Sequence, residues 1–407
     1  GIKSANWTTT LFSEVQLQAN DTLIKLINAD SAAQLWWANG EQLDAIGGND
    51  TRFQTNHSGI ISKYSGLNNH LLNFGMDYRT EEIKQAVFQG NWDAEILLQS
   101  SGNTLVPSTL GIEQGFWFPG DQIRDDLFPI VSREVISLHI QDTWQLTDNI
   151  NLTLGSRYDD YNDIGSDISN RLGLVYNISS TSTFKVLYGE AFRAPTIAEV
   201  YQLPTSVSVG NINLKPEEIK TIDISWQQKW DNYQFILGYY DSHITDQIDR
   251  VAVPGSDFGS TRLQAQNFGS ENLSGWELEL KANPIENLMI SAGFTHLNQY
   301  SNIGVPVDPA YLIVNYTFNQ WNFNLNGYYH GRVISRVDEI TKTVVTLNSF
   351  FKLNAAISFQ LTDDIELYLK AENMLDESYT TYDEFSQLPN GLPERGRIIS
   401  IGTRISF

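Results

Sequence analysis

The carboxylates Asp159, Asp160, Asp163 and Asp167 crowd one short segment, and six histidines stand at positions 57, 70, 139, 243, 296 and 330. Clustered acids supply the oxygen ligands that Ca2+ takes, so these four are weak calcium candidates, although they lack the EF-hand loop pattern. The histidines lie on predicted strands without the spacings of metal ligands and read as polar groups of an interior or an interface. With no Cys, thiolate sites and disulfides are excluded together. Nucleophile-elbow, zinc-protease and phosphate-loop motifs are all missing. Adjacent acids such as Asp363 and Asp364 are expected by chance in a chain with 48 acids. No catalytic residue is assigned, and the expectation is a chain that is not an enzyme, with no resident cofactor. The segment 83–132 carries Trp92, Phe116, Trp117 and Phe118, rings that stack on a flat ligand or pack the loop onto its neighbours.

What positions such residues is a strand-rich chain. Of 407 residues, 12% are aromatic and only 18% charged, with 29 Gly, a profile of strands and turns. The net charge of −22 argues against nucleic acid, which needs clustered cations. The longest apolar run, Ala310 to Val314, is far too short for a membrane helix. Gly1 without Met or an apolar leader is read as the start of a processed or truncated piece.

Period-two alternation runs nearly throughout. In "FKLNAAISFQL", Phe351, Leu353, Ala355, Ile357, Phe359 and Leu361 face away from Lys352, Asn354, Ser358 and Gln360. The terminal "IISIGTRISF" sets Ile399, Ile401, Ile405 and Phe407 opposite Ser400, Gly402, Arg404 and Ser406. About 17 such strands are predicted, near 7–18, 22–37, 51–65, 68–82, 133–147, 149–162, 167–178, 182–193, 217–230, 232–249, 272–283, 287–300, 308–319, 321–335, 348–361, 364–373 and 396–407.

Their connections alternate between short Asn/Asp/Ser/Gly turns, such as Ala19-Asn20-Asp21 and Thr362-Asp363-Asp364, and long stretches such as 83–132, 194–216, 250–271, 336–347 and 374–395. A soluble sandwich or propeller explains the alternation but not two rims of unequal loops. The reading is therefore all-β: a transmembrane antiparallel up-and-down β-barrel. An odd count, ending at the short-turn rim, predicts that the first visible strand runs downward and that at least one strand precedes Gly1.

"YGEAFRAPT" at Tyr188 to Thr196, "NLKPEEIKTIDISWQQ" at Asn213 to Gln228, "QNFGSENLSGWELEL" at Gln266 to Leu280, "AENMLDESY" at Ala371 to Tyr379 and the terminal "PERGRIISIGTRISF" resemble, in order and spacing, the barrel of TonB-dependent outer-membrane receptors. The resemblance covers most of the chain from about Arg133 onward. It implies a 22-stranded barrel around an N-terminal plug, so that residues 1–407 are the C-terminal barrel portion, without the plug and first strands. It implies import of a ferric siderophore or a cobalamin-like chelate across the outer membrane of a Gram-negative bacterium. Its implied partners are the TonB complex, acting through the absent plug, outer-membrane lipid and lipopolysaccharide, and the barrel-assembly machinery, which reads a C-terminal aromatic such as Phe407.

The family-motif positions are Phe192, Arg193, Ala194, Pro195, Leu214, Pro216, Glu217, Asn373, Asp376 and Phe407. Candidate ligand contacts are the four loop aromatics with Tyr201, Tyr379 and Tyr382. Haem is disfavoured because "TIAEVYQLPTSVSVG", between the FRAP box and Asn211-Ile212-Asn213-Leu214, holds no His. The six acids of 83–132 against Lys84 and Arg124 give a net charge of −4, which suits a neutral or cationic chelate better than a catecholate anion. The competing readings are a passive channel and a surface adhesin.

Overall fold

In a computed structural model, residues 2–4, 6–27, 36–37, 45–90, 104–105, 123–126, 128–204, 208–254, 261–298, 304–337, 344–382 and 390–406 are described. One antiparallel sheet of 18 strands dominates. Its long members are β1 Trp7–Ile27, β2 Ala45–Tyr64, β3 His70–Gly90, β4 Ser132–Thr147, β5 Ile150–Tyr161, β6 Gly165–Asn177, β7 Ser182–Arg193 and β8 Glu217–Trp230. They continue as β9 Tyr233–Thr245, β10 Ser270–Ile285, β11 Leu288–Leu297, β12 Ala310–Phe318, β13 Trp321–His330, β14 Phe350–Thr362, β15 Ile365–Glu372 and β16 Ile398–Ile405. Each pairs with the next. Two short pieces complete the sheet: Ile2–Lys3 on β1 and Ile123–Asp126 on the upper part of β3. This is the up-and-down meander of a transmembrane barrel.

Register shows why the alternation reads as it does. Leu11, Ile60, Met76, Leu138, Tyr158 and Ile168 lie side by side across β1 to β6. Tyr316, Phe323, Ile357, Leu369 and Ile401 do the same across β12 to β16. Most of these side chains are exposed, Ile401 at 86%, which in water would be costly and in hydrocarbon is favourable. The opposite face of the second row carries Asn315, Asn324, Ala356, Lys370 and Ser400 and lines the lumen. Outward aromatics gather towards the short-turn rim, where Trp7 packs on Tyr64 and Phe74, and Trp321 on Phe359. Such rings favour the headgroup level. Asn69 and Asn319 adopt φ of 63° and 55° in short turns, a conformation that Asn tolerates well.

Three expectations are corrected. Ala19-Asn20-Asp21 is not a turn: it pairs with Arg52, Thr51 and Asp50 inside one continuous strand. Polar residues near a loop rim pair in a ladder as readily as they turn, so composition does not separate the two. In consequence β1 runs up from the short-turn rim, opposite to the predicted direction. Third, the connections do not alternate strictly, because β5 and β6 are joined on the long-loop rim by only 162–164. The strand predicted over 68–82 also runs further, to Gly90, with Ile83 and Ala86 buried.

Leu138 sits near the middle of the apolar band. Leu138→Arg is expected to destabilise the folded barrel by about 2–4 kcal/mol, whereas Asn324→Arg on the lumen face costs far less. Urea titration of folding into lipid vesicles, read by the heat-dependent gel mobility of folded barrels, measures both.

Candidate functional site

A barrel has no central apolar core, and the buried apolar cluster of Val200, Leu214 and Ala265 lies instead on the long-loop rim, with Ile164, Tyr201 and Ile248 against it. Three connections meet there: 162–164, 194–216 and 246–269. The short helix α1, Ile197–Tyr201, begins in a capping box in which the Thr196 hydroxyl accepts from the Glu199 N–H while the Glu199 carboxylate accepts from the Thr196 N–H. Strand Thr261–Asn267 pairs with Ile248–Pro254 and with Ser208–Val209, tying one loop to the other. Amide side chains secure them: Asn211 Nδ2 donates to the Ala265 carbonyl, Gln264 Nε2 to that of Gly210, and Asn267 bridges Lys215 and Asp246. Gly210 is required there, since a Cβ would stand 2.6 Å from the Val200 carbonyl oxygen.

The FRAP and NLKPE residues are the ionic fastening of this roof. Arg193 at the end of β7 bonds both Glu199 (3.0 Å) and Glu217 (3.1 Å), and Glu217 also accepts the Ile248 N–H. Beneath it Arg133 holds Asp163 at 2.8 Å, with side chains 3% and 9% exposed, and donates to the carbonyl of the buried Pro195 at 2.7 Å. The Tyr201 hydroxyl donates to the same Asp163. Phe192 meets Tyr161 edge to face, Leu214 is buried, and Pro216 is half-buried where the chain enters β8. Burial disfavours ionised Glu199, but the Thr196 N–H and Arg193 outweigh it and hold the carboxyl below its ordinary range. Burial and the neighbouring Asp163 push the Tyr201 phenol up, keeping it a donor. Under the roof a crevice of about 470 Å3 opens between Arg79, Glu81, Arg133, Tyr161 and Ala194.

A second fastening closes the last long loop. Asn373, 1% exposed with φ 48°, exchanges bonds with the Glu377 backbone and also donates to the Arg395 carbonyl. Its N–H donates to Asn354. Asp376, φ 57°, accepts the Arg397 N–H at 2.8 Å. Nearby on the lumen side, His330, Phe350 and Tyr379 stack with centroids 4.8 and 4.1 Å apart, with Lys352 over Tyr379. Tyr382 packs where Gly304 leaves room for its ring.

The four calcium candidates are split. Asp159 is buried against Arg157 and Ser137, and Asp163 is taken by Arg133. Asp167 lies beside Asp159 on the lumen face, while Asp160 alternates to the other face. Among the described residues no three His, Asp or Glu side chains form a metal-holding group. His57 and Asp77, with Arg157, extend the lumen network, while His70 pairs with Asp142 on the outer face. Trp92, Phe116, Trp117, Phe118 and Phe407 lie outside the described residues. The roof fastenings Arg133, Glu199 and Asn267 are not among the sequence candidates, although Thr196-x-x-Glu199 carries a legible signal, the capping box, and Asn211 lies in the Asn211-Ile212-Asn213-Leu214 stretch.

An antiparallel meander with apolar rows outside, polar rows inside and fastened long loops on one rim defines an outer-membrane β-barrel. The family described as "TonB dependent receptor-like, beta-barrel" matches residues 3–374, and the chain belongs to it. That family consists of outer-membrane receptors of Gram-negative bacteria, not enzymes. The vitamin B12 transporter BtuB of Vibrio cholerae is 24% identical over 257 residues, 60% of this chain and 38% of that protein. The probable TonB-dependent siderophore receptor PirA of Acinetobacter baumannii is 28% identical over 145 residues, 32% of this chain and 19% of that one. The chain spans less than half the length of these curated relatives. Among solved structures, a ferric enterobactin receptor (PfeA) variant from Pseudomonas aeruginosa has a TM-score of 0.66 at 15% identity, covering 100% of this chain and 60% of that one. The copper transporter OprC has 0.65 at 16%, covering 90% and 60%. At those identities the likeness concerns the fold.

Arg133→Ala leaves Asp163 buried without its cation, a loss of about 3–5 kcal/mol. The expected outcome is faster hydrogen exchange in 194–216 with β12 to β16 unchanged. Glu199 supplies a second reading. Because its folded pKa is depressed, its contribution is present at neutral pH and fades as pH falls through the folded value. Protection of α1 therefore declines on acidification below the ordinary Glu range, and Glu199→Gln abolishes that dependence.

Proposed function

We propose that the chain is the barrel of a receptor that imports a chelated-metal nutrient, a ferric siderophore or a cobalamin-like ligand, across the outer membrane with energy delivered by the TonB complex through a plug segment. The observation that carries this reading is the family match across residues 3–374, and relatives named as B12 transporter and siderophore receptor support it. The fastened roof supports it too, since binding loops act best on a rigid mount. Tyr201, Tyr379 and Tyr382 serve as ring supports of that mount, and ligand contact is assigned to the aromatics of 83–132. The apolar rows are assigned to lipid and the rim above them to lipopolysaccharide; Phe407 is assigned to the assembly machinery.

The full-length protein, expressed in an outer membrane lacking its own receptors, is expected to support growth on one chelate among a panel, and only where the TonB complex is intact. Uptake that persists without the complex makes the barrel a passive channel. A correctly inserted barrel that takes up nothing favours an adhesin.

A further inference from the structure

One acid stands in the lipid-facing band. Asp142 on β4 lies in register between Leu72 of β3 and Leu154 of β5, with Ile140 next above it on the same face of its own strand. Among the described residues of β1 to β9, the other outward acids stand towards the long-loop rim, as Asp160, Glu190 and Asp241 do. Asp142 is near the opposite rim. An ionisable side chain turned towards hydrocarbon is expensive, and its presence calls for a partner.

His70 is the first partner. Its Nδ1 lies 2.7 Å from Asp142 Oδ2, and its ring stacks on Trp144 with centroids 5.1 Å and planes 16° apart, which fixes the imidazole beside the carboxylate. The second oxygen is not served. Asp142 Oδ1 is covered by its neighbours and has no hydrogen-bond partner, a costly state for a carboxylate away from water. Leu72 and Leu154 on either side have no side-chain donor to offer. The Asp142 side chain as a whole is nonetheless 23% exposed, and what it is exposed to is the lipid side.

The depth of the pair says which part of a lipid meets it. Trp144 stands two residues nearer the short turn between Thr147 and Ile150, and outward rings at such a rim mark the headgroup level. Asp142 is therefore about 7 Å along the strand from that level, within reach of a headgroup that bends inward. The short turns of an outer-membrane barrel lie on the periplasmic side, so the lipid is one of the periplasmic leaflet. With a neutral imidazole donating from Nδ1, the pair keeps one negative charge. The group that completes it must be positive and must carry hydrogen-bond donors.

We infer that Asp142, held in place by the His70–Trp144 stack, is a binding site for the primary ammonium headgroup of a phospholipid, phosphatidylethanolamine. An ammonium brings three donors and a compensating charge to the carboxylate. A trimethylammonium headgroup brings the charge without a donor, and a glycerol headgroup brings donors without the charge. The inference rests on the assignment of the apolar rows to lipid; it is independent of the lumen, of the plug and of the chelate imported.

The full-length protein is reconstituted into vesicles of phosphatidylethanolamine, phosphatidylcholine and phosphatidylglycerol in equal parts with identical acyl chains, extracted in mild detergent, and its retained lipids are counted by native mass spectrometry. Retention of phosphatidylethanolamine at least threefold over each of the others is expected. Asp142→Asn, which keeps the shape and removes the charge, should bring the ratio to about one, and so should Asp142→Leu, which continues the apolar row and folds at least as well. Asp241→Asn, the same change at the other rim, should leave the preference intact; heat-dependent gel mobility verifies that each variant is folded. Insertion with no headgroup preference, a preference that survives in both Asp142 variants, or equal retention of phosphatidylethanolamine and phosphatidylcholine would overturn this inference alone. A protein that does not insert into the vesicles would overturn it together with the assignment of the rows to lipid.

Discussion

Inside a hydrocarbon layer an unpaired peptide group has no water to turn to, and every other feature of this chain follows from that constraint. The answer is an antiparallel ladder in which each long strand gives its hydrogen bonds to its sequence neighbours. Once the ladder is set, side chains have only two directions. Apolar rows such as Leu11 to Ile168 go to lipid, and polar rows go to the lumen. The usual rule for soluble proteins is inverted, and large hydrophobic side chains are exposed while the buried apolar cluster sits at the rim.

That inversion explains how the roof is built. Without a core to dock against, the loops 194–216 and 246–269 are held by a small cluster around Leu214 and by polar fastenings. The arginines bear most of this. Arg133 is buried and held by one carboxylate and one carbonyl, and Arg193 reaches two acids on different elements. The motif residues Arg193 and Glu217 are thus joints that give the long-loop rim its shape.

The strands and the two unequal rims were legible because period-two alternation is a direct image of the two-sided ladder. The errors fall where that image fades. Asn20 and Asp21 lie beyond the apolar band, where polarity no longer distinguishes strand from turn, and Lys84 lies in β3 for the same reason. The FRAP and Asn373 motifs were visible as patterns, but their work depends on partners far away in sequence, Arg133 with Asp163 or Asn373 with Arg395, and no spacing rule reveals these.

The amide side chains of the roof bear on how such a receptor can change. Asn211, Gln264 and Asn267 bond to main-chain carbonyls and N–H groups, which every residue type except proline presents alike. Lys215 is therefore free to vary in kind while the mount keeps its form, whereas Gly210 and the buried Ala265 are not. Substitutions at such positions can accumulate without refolding the barrel beneath them.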